Sequence, residues 1–254
     1  MTQNHHGVVA ENYGPRANAY VSSAVHAGGA DLDQIEQALR GRPDARVLDL
    51  GCGGGHVAYR AAPHVAEVVA VDLTPEMLEA VARTATERGL ANIATQQAPA
   101  EQLPFEDGRF DVVLCRFTAH HWRDFEAGLR EARRVLAPGG MAVFIDCIAP
   151  ATTILDTHLQ VVEVLRDPSH VRNHTAAEWM AALARAGFAV RSLTPRRLRM
   201  EFPVWTARTN TPDLHAQAIR SLQRSAAEEV RIHFDITEDG SFLLDTLTLE
   251  TDPV

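Results

Sequence analysis

The run Val47-Leu48-Asp49-Leu50, breaking into Gly51-Cys52-Gly53-Gly54-Gly55, constrains this chain more than any other stretch. An apolar strand that opens into a glycine-dense turn lets backbone approach a ligand closely, because glycine tolerates positive φ and carries no side chain. About twenty residues later a second apolar run, Val68-Val69-Ala70-Val71, closes on Asp72. An acid at that strand end is placed to accept from a ribose diol. The chain therefore reads as a nucleoside-cofactor binder. A dinucleotide fingerprint needs glycine at its first, third and sixth positions. Gly51 and Gly53 meet the first two, but His56 stands at the sixth.

The order Asp49-x-Gly51-x-Gly53-x-Gly55, with Asp72 one strand later, resembles the first two motifs of class I S-adenosylmethionine-dependent methyltransferases. Residues Gln97 to Phe105 resemble the adenine-side loop of the ubiquinone/menaquinone-biosynthesis (UbiE-like) branch, and Phe110 to Arg116 its fourth strand. His120-His121-Trp122 and Arg133 to Gly140 resemble the helix and turn that follow. The likeness spans residues 46–150. The flanks Asn12-Tyr13-Gly14, Ala19-Tyr20 and Ser169 to Asn173 are similar to an uncharacterised bacterial subgroup of that branch.

The resemblance implies a Rossmann-like α/β fold: a doubly wound, mainly parallel seven-stranded sheet with helical cap elements. It implies S-adenosylmethionine as cofactor and in-line methyl transfer to a small-molecule acceptor. A cofactor-binding regulatory module without methyl transfer, and an RNA methyltransferase, remain as alternatives. One departure from the family is Pro99, where a polar side chain often accepts from adenine. Proline has no N–H to offer, so adenine falls to the Ala100 backbone, to Glu101, or to apolar contact with Leu73 and Met77.

Composition narrows the partners. The 254 residues are 46% hydrophobic, with 33 acidic against 24 basic side chains, a net charge of -9. A duplex binder needs a basic face to displace counterions, so DNA is disfavoured. The chain also lacks the Pro-Cys pair of cytosine-C5 methyltransferases and the Asn/Asp-Pro-Pro-aromatic motif of exocyclic-amine methyltransferases. No apolar run is long enough to span a bilayer, and the polar start lacks a signal-peptide core. Cys52, Cys115 and Cys147 show no metal or redox spacing, which reads as reduced thiols in a cytoplasmic protein. His5-His6 has no third ligand at sensible spacing, so no metal is expected. A homodimer is allowed but not required.

Along the chain, residues 1–45 are expected to form an N-terminal helical lid. One helix presents Ala17, Tyr20, Val21 and Ala24, and a second presents Leu32, Ile35 and Leu39. Residues 46–150 form the cofactor-binding core, with strands near 46–50, 67–72, 92–96, 110–115 and 141–148 and helices near 55–62, 75–88 and 124–136. Short buried strands alternating with helices predict the parallel sheet. Thr74-Pro75-Glu76 supplies an N-cap signal, and Pro138-Gly139-Gly140 a stop before the fifth strand. Residues 151–254 continue the same domain with cap helices at 152–166, 175–186 and 212–230, then strands at 231–236 and 242–251. Thr175 with Glu178 spells a capping box.

Candidate cofactor-binding residues are Tyr20, Asp49, Gly51, Cys52, Gly53, Asp72, Leu73, Met77, Ala100, Glu101 and Cys115. His120 and His121 follow the fourth strand, at the edge where ligands of open α/β sheets bind, and histidine suits proton removal near neutrality. They are the catalytic candidates. Arg116, His121 and Arg172 are the substrate-binding candidates, with Asn173 and His174 beside Arg172. Arg196, Arg197 and Arg199 read as a solvated strand face.

Overall fold

Four of the apolar runs become parallel strands because both their faces are covered, and a fifth, largely exposed strand pairs at the edge. The computed structural model of the chain describes residues 4–21 and 27–254. Ala24, expected on the first helical face, lies outside these residues. Strands β1 (Arg46–Leu50), β2 (Glu67–Asp72), β3 (Ile93–Gln97), β4 (Phe110–Arg116) and β5 (Leu136–Cys147) stand in the order β3-β2-β1-β4-β5. β7 (Phe242–Pro253) lies antiparallel to β5, and β6 (Phe188–Met200) closes the edge antiparallel to β7. The sheet thus has seven strands, parallel except for β7. Val47, Leu48, Val68, Val112 and Val113 are all fully buried, which is why these strands read as continuous apolar runs rather than alternating ones.

Helices cover each face. On one side α3 (Ala30–Leu39), α4 (His56–Ala61) and α5 (Pro75–Glu87) bring Leu32, Ile35, Ala58 and Val81 against Val47, Val68 and Val112. On the other, α6 (Phe125–Val135) and α8 (Ala176–Ala186) bring Leu129, Trp179 and Leu183 against Leu48, Val113 and Phe144. β2 and β4 flank β1 on opposite sides, so the winding direction reverses there and opens a crevice at the carboxyl ends of the strands. Two short helices, α1 (His5–Tyr13) and α2 (Ala17–Val21), lie beside this crevice, with Ala17 packed on Met77 and Ala80 of α5.

Several local signals act as expected. Thr175 and Glu178 form the reciprocal capping box of α8, and Gly187 ends that helix at φ +88°. Thr74 sits at the N-cap of α5 with Pro75 in the first turn, but its hydroxyl makes no capping bond. The Thr74 amide instead donates to Asp72.

From β5 onward the chain differs from expectation in several places. β5 begins at Leu136, paired with Phe110, and the Pro138-Gly139-Gly140 stretch lies at the register shift between Phe110 and Val112. The helix expected over 212–230 is two: α10 (Asp213–Ser225) and α11 (Glu228–His233). Residues 231–236 are therefore not a strand. Val230 and Phe234, four apart, are the buried pair, while Ile232 is 69% exposed, so the operative period is helical. α9 (Phe202–Arg208) was not signalled by the sequence, and β6 only around Arg196, Arg197 and Arg199. β6 is an edge strand whose alternation is masked by arginines that reach across to β7, such as Arg191 to Glu250 at 2.9 Å and Arg197 to Asp245 at 3.1 Å. Arg197 and Arg199 thus lie on the expected solvated face, whereas Arg196 is half-buried on the opposite face against Thr248 and Gln34.

β6 and β7 pair from Phe188–Pro253 to Met200–Phe242, beyond the end of β5's pairing with β7 at Cys147–Thr246. The overhang carries a second core. Leu244, Phe242 and Met200 pack there with Trp205 of α9, Ile219 of α10, Phe234, and Leu155, Leu159 and Val162 of α7 (Thr153–Arg166). Phe234 is 1% exposed at the centre of this cap. Phe234→Ala is expected to destabilise the protein by about 3–5 kcal/mol, read as a lower midpoint in urea unfolding. A midpoint unchanged from the parent protein would mean the cap does not unfold with the sheet.

Candidate functional site

The glycine turn is built by conflicting demands on its four glycines. Gly51, Gly53 and Gly55 have φ of +71°, +47° and +79°, a region that favours glycine. A Cβ at Gly51 would stand 2.2 Å from Thr118 Oγ1, and one at Gly54 would stand 2.7 Å from the Tyr20 carbonyl. A Cβ at Gly53 would meet nothing within 4 Å. The turn is therefore packed by protein on most sides and open at Gly53, on the cavity that forms the crevice. That cavity encloses about 1490 Å³, its open mouth included.

Two carboxylates hold the turn. Asp49, 1% exposed, accepts from the Ala58 amide of α4 at 3.0 Å. Burial, opposed by that amide and reinforced by the nearby Asp72 charge, pushes its carboxyl up to about 7. Asp72 accepts from the Gly53 amide through Oδ2 and from the Thr74 amide through Oδ1, each at 2.9 Å. Burial raises its carboxyl above the usual range, with the Thr74 and Gly53 amides acting against the rise. Each oxygen keeps a second lone pair, and the residue lines the cavity.

The cavity brings together most of the residues singled out by the sequence. Tyr20, Asp49, Gly51, Cys52 and Gly53 line it, as do Asp72, Leu73 and Met77. Ala100 and Glu101 line it beside Pro99. Cys115 does not: it is fully buried in the sheet core with Leu48 and Phe144, and burial holds its thiol well above the ordinary value. Arg116 lines the cavity but its Nε donates to Asp31 at 2.5 Å. Arg172 lies off the cavity, tied to Asp156 at 3.1 Å and Glu178 at 3.3 Å. Two facing acids claim it because α7 and α8 converge there. Of its neighbours, Asn173 lines the cavity, and His174 stacks on Phe125 at 4.0 Å.

The two adjacent histidine rings lie 4.2 Å apart, yet each meets different partners. His121 Nδ1 contacts the Ser169 carbonyl at 3.0 Å and Nε2 the Tyr13 hydroxyl at 2.9 Å. Since a carbonyl only accepts, Nδ1 carries the ring proton. The Tyr13 hydroxyl also lies 2.6 Å from Asp167 Oδ2, so its single hydrogen is shared between that carboxylate and His121 Nε2, and Asn12 donates to the same carboxylate at 2.7 Å. Burial and the charge of His120 push His121 down to about 4. With both nitrogens engaged, His121 fastens the N-terminal helices rather than facing an acceptor. His120 is different. Its Nδ1 lies 2.5 Å from Oδ1 of Asp146, itself 2% exposed at the end of β5. Burial opposes the imidazolium, but Asp146, Glu163 and Asp167 outweigh it and raise the ring above its usual value. Asp146 fixes the tautomer, leaving Nε2 for the cavity that His120 lines.

The N-terminal helices close one side. His56 Nε2 contacts the Tyr20 carbonyl at 2.9 Å, and Tyr13 packs edge-on to both Tyr20 and His121. Four buried side-chain atoms among the described residues have no hydrogen-bond partner, and three belong to cavity-lining residues: His6 Nε2, Thr74 Oγ1 and Asn173 Nδ2. Orphaned buried polar atoms are uncommon in folded proteins. Thr74 and His6, with the open face of Gly53 and the spare lone pairs of Asp72, fit a nucleoside cofactor. Sequence reasoning missed Asp146, Glu163, Arg166, Trp205 and Arg208, all at the other end.

The family model for a methyltransferase domain matches residues 48–144. The uncharacterized protein YafE of Escherichia coli is 44% identical over 200 residues, covering 79% of this chain and 97% of YafE. The uncharacterized methyltransferase YcgJ of Bacillus subtilis is 37% identical over 226 residues, 89% of each chain. The crystal structure of YcgJ superposes with a TM-score of 0.84, covering 87% of this chain and 97% of that one. A demethylmenaquinone methyltransferase of Thermus thermophilus is 40% identical over 128 residues, 48% of this chain and 57% of its own length, so the UbiE-type likeness covers about half of the chain. A turn and two carboxylates at the edge of a sheet of this topology, in a chain similar to these relatives over nearly their whole length, lead to one conclusion: the chain belongs to the methyltransferase-domain family.

Proposed function

We propose that the chain transfers a methyl group from S-adenosylmethionine to a small-molecule acceptor by in-line displacement, with His120 as general base. The observation that carries this reading is a single cavity with two unlike ends. The glycine turn, Asp72 and Thr74 line one, and an imidazole backed by a buried carboxylate lines the other. S-adenosylmethionine supplies a sulfonium methyl group that is already electrophilic, so alignment of the acceptor provides much of the rate enhancement.

The protein's own groups divide the remaining work. Asp72 accepts from the ribose hydroxyls while its amide partners, Gly53 and Thr74, hold it in place. Leu73, Met77 and Ala100 give adenine an apolar slot, which compensates for Pro99. The helices carrying Tyr13 and Tyr20 exclude water. His120 Nε2 takes the acceptor proton as the new bond forms, and Asp146 stabilises the resulting imidazolium. A regulatory module would have no use for such a pair, and a net charge of -9 argues against RNA.

The ribose assignment is tested by calorimetric titration with S-adenosylhomocysteine. Two hydrogen bonds to a charged acceptor are each worth about 1.5–3 kcal/mol, so Asp72→Ala is expected to weaken binding by roughly 100-fold or more. Equal affinity in the two proteins would remove Asp72 from the site. The base assignment is tested by NMR titration of the histidine rings in that complex. His120 faces Asp146, Glu163, Asp167, His121 and His170; its ring is expected to lose its proton only above the ordinary imidazole value of 6.5, and His121 near 4. As a base His120 must be neutral, so activity falls as pH drops through that raised value. Asp146→Asn removes the chief support of the charged ring and is expected to move the His120 titration to lower pH. An unmoved titration would show that Asp146 does not set it.

A further inference from the structure

The adjacent histidines at the start of α1 divide their work. His5 Nε2 lies 2.9 Å from the His121 carbonyl, and the Asn4 side chain caps the helix by accepting from the Gly7 amide at 3.0 Å. Those two contacts hold the first turn of α1 in place. His6, Val9 and Tyr13, at helical spacing, all line the cavity, so one stripe of α1 forms part of its wall. Tyr13 meets His121, whereas His6 meets the loop after β3. The His6 Nε2 stands 3.6 Å from Oε2 of Glu101, near enough for charges to interact but too far for a hydrogen bond. The atom is buried and has no hydrogen-bond partner. A carboxylate only accepts, so Glu101 favours the tautomer with hydrogen on Nε2.

Glu101 is oriented from its far side. Its Oε1 accepts from the Asp124 amide at 3.2 Å, at the start of α6, which leaves Oε2 as the oxygen beside His6. Around the pair, Leu73, Met77, Ala98, Pro99 and Ala100 line the cavity. The Pro99 carbonyl already accepts from the Gln102 amide at 3.2 Å, and proline has no N–H. An oriented acceptor and a buried, unsatisfied donor therefore stand side by side in an apolar slot. That pair complements one edge of adenine, where the amino group donates and a ring nitrogen beside it accepts. A purine with oxygen in place of the amino group presents an acceptor at that position instead.

We infer that His6 and Glu101 select the base of the cofactor: Glu101 Oε2 accepts from the adenine amino group, and His6 Nε2 donates to a ring nitrogen beside it. Base selection thus falls to one side chain of α1 and one of the loop after β3, in place of the contact that Pro99 cannot make. This rests on the S-adenosylmethionine reading for the identity of the ligand.

The test is calorimetric titration of the full chain with S-adenosylhomocysteine and with S-inosylhomocysteine, in which oxygen replaces the amino group. Two further ligands are analogues of S-adenosylhomocysteine with carbon in place of ring nitrogen N1 or N7. The unaltered protein is expected to bind S-adenosylhomocysteine at least tenfold more tightly than S-inosylhomocysteine. His6→Phe keeps a ring at the position but no N–H. It is expected to weaken S-adenosylhomocysteine about three- to tenfold, and to leave unaffected the one carbon analogue that lacks the nitrogen His6 meets. Glu101→Gln keeps its oxygen on the Asp124 amide and turns its amide nitrogen to the base, so the preference for amino over oxygen is expected to fall at least tenfold. Equal affinity of the unaltered protein for the amino and oxygen ligands overturns the inference. So does S-adenosylhomocysteine binding indifferent to His6→Phe, an equal loss on both carbon analogues, which marks a packing role, or an unchanged preference in Glu101→Gln. Should His6→Phe fail to fold, the Glu101→Gln preference and the two carbon analogues on the unaltered protein decide, at least one of them binding more weakly than S-adenosylhomocysteine. No binding of S-adenosylhomocysteine by the unaltered protein strikes the S-adenosylmethionine reading itself, and the base selection with it.

Discussion

The carboxylate of Asp72 is the tie on which the site depends. It joins the end of β2 to the turn after β1 by accepting from Gly53, and it starts α5 by accepting from Thr74. Three backbone segments that meet only at the carboxyl edge of the sheet are thereby fixed by one side chain. The bond from the Cys52 amide to the Val71 carbonyl, at 2.8 Å, adds a main-chain strut beside it. With the turn held this way, Gly54 can take the Tyr20 backbone in close contact, and the N-terminal helices gain a floor. A buried anion supported by amides costs less than one left bare, which is why an acid can stand at a strand end that also lines a cavity.

The cofactor half was legible in the sequence because its signals are local. Strand β1, the turn and Asp72 lie within some two dozen residues, and each demands a residue type that few others can replace. Cys115 was misplaced for a reason equally local: strand residues alternate, and the position beside the cavity edge belongs to Arg116 rather than to its neighbour. Arg172 was misplaced because the sequence does not reveal that Asp156 and Glu178 converge on it from two helices.

The acceptor half was less legible because it is assembled from distant pieces. Asp146 is a lone acid in an otherwise apolar strand, Val143-Phe144-Ile145-Asp146, and that anomaly was a usable sign of a buried partner. Glu163 and Arg166 occupy the apolar face of α7 with Leu155, Leu159 and Val162. Polar residues on a buried stripe carry the same message. Trp205 and Arg208 gave no such sign, since α9 is seven residues long and lies in a stretch without clear periodicity. The sequence offers His120 and His121 alike as candidates and does not show which partners each ring meets. The rings lie side by side, but one meets Asp146 from β5 and the other meets Tyr13 from α1.

The last rung of the β6–β7 ladder, Met200 opposite Phe242, is where the chain leaves the sheet and where it returns. Everything between, residues 201–241, is therefore a loop whose two ends are already neighbours before the loop adopts any shape. Closing such a loop costs little more as it lengthens. In evolutionary terms this segment is an exchangeable cassette. Its length and chemistry can be rewritten without moving a strand, the glycine turn or Asp72, so the part of the cavity wall that carries Trp205 and Arg208 can change while the sheet stays as it is.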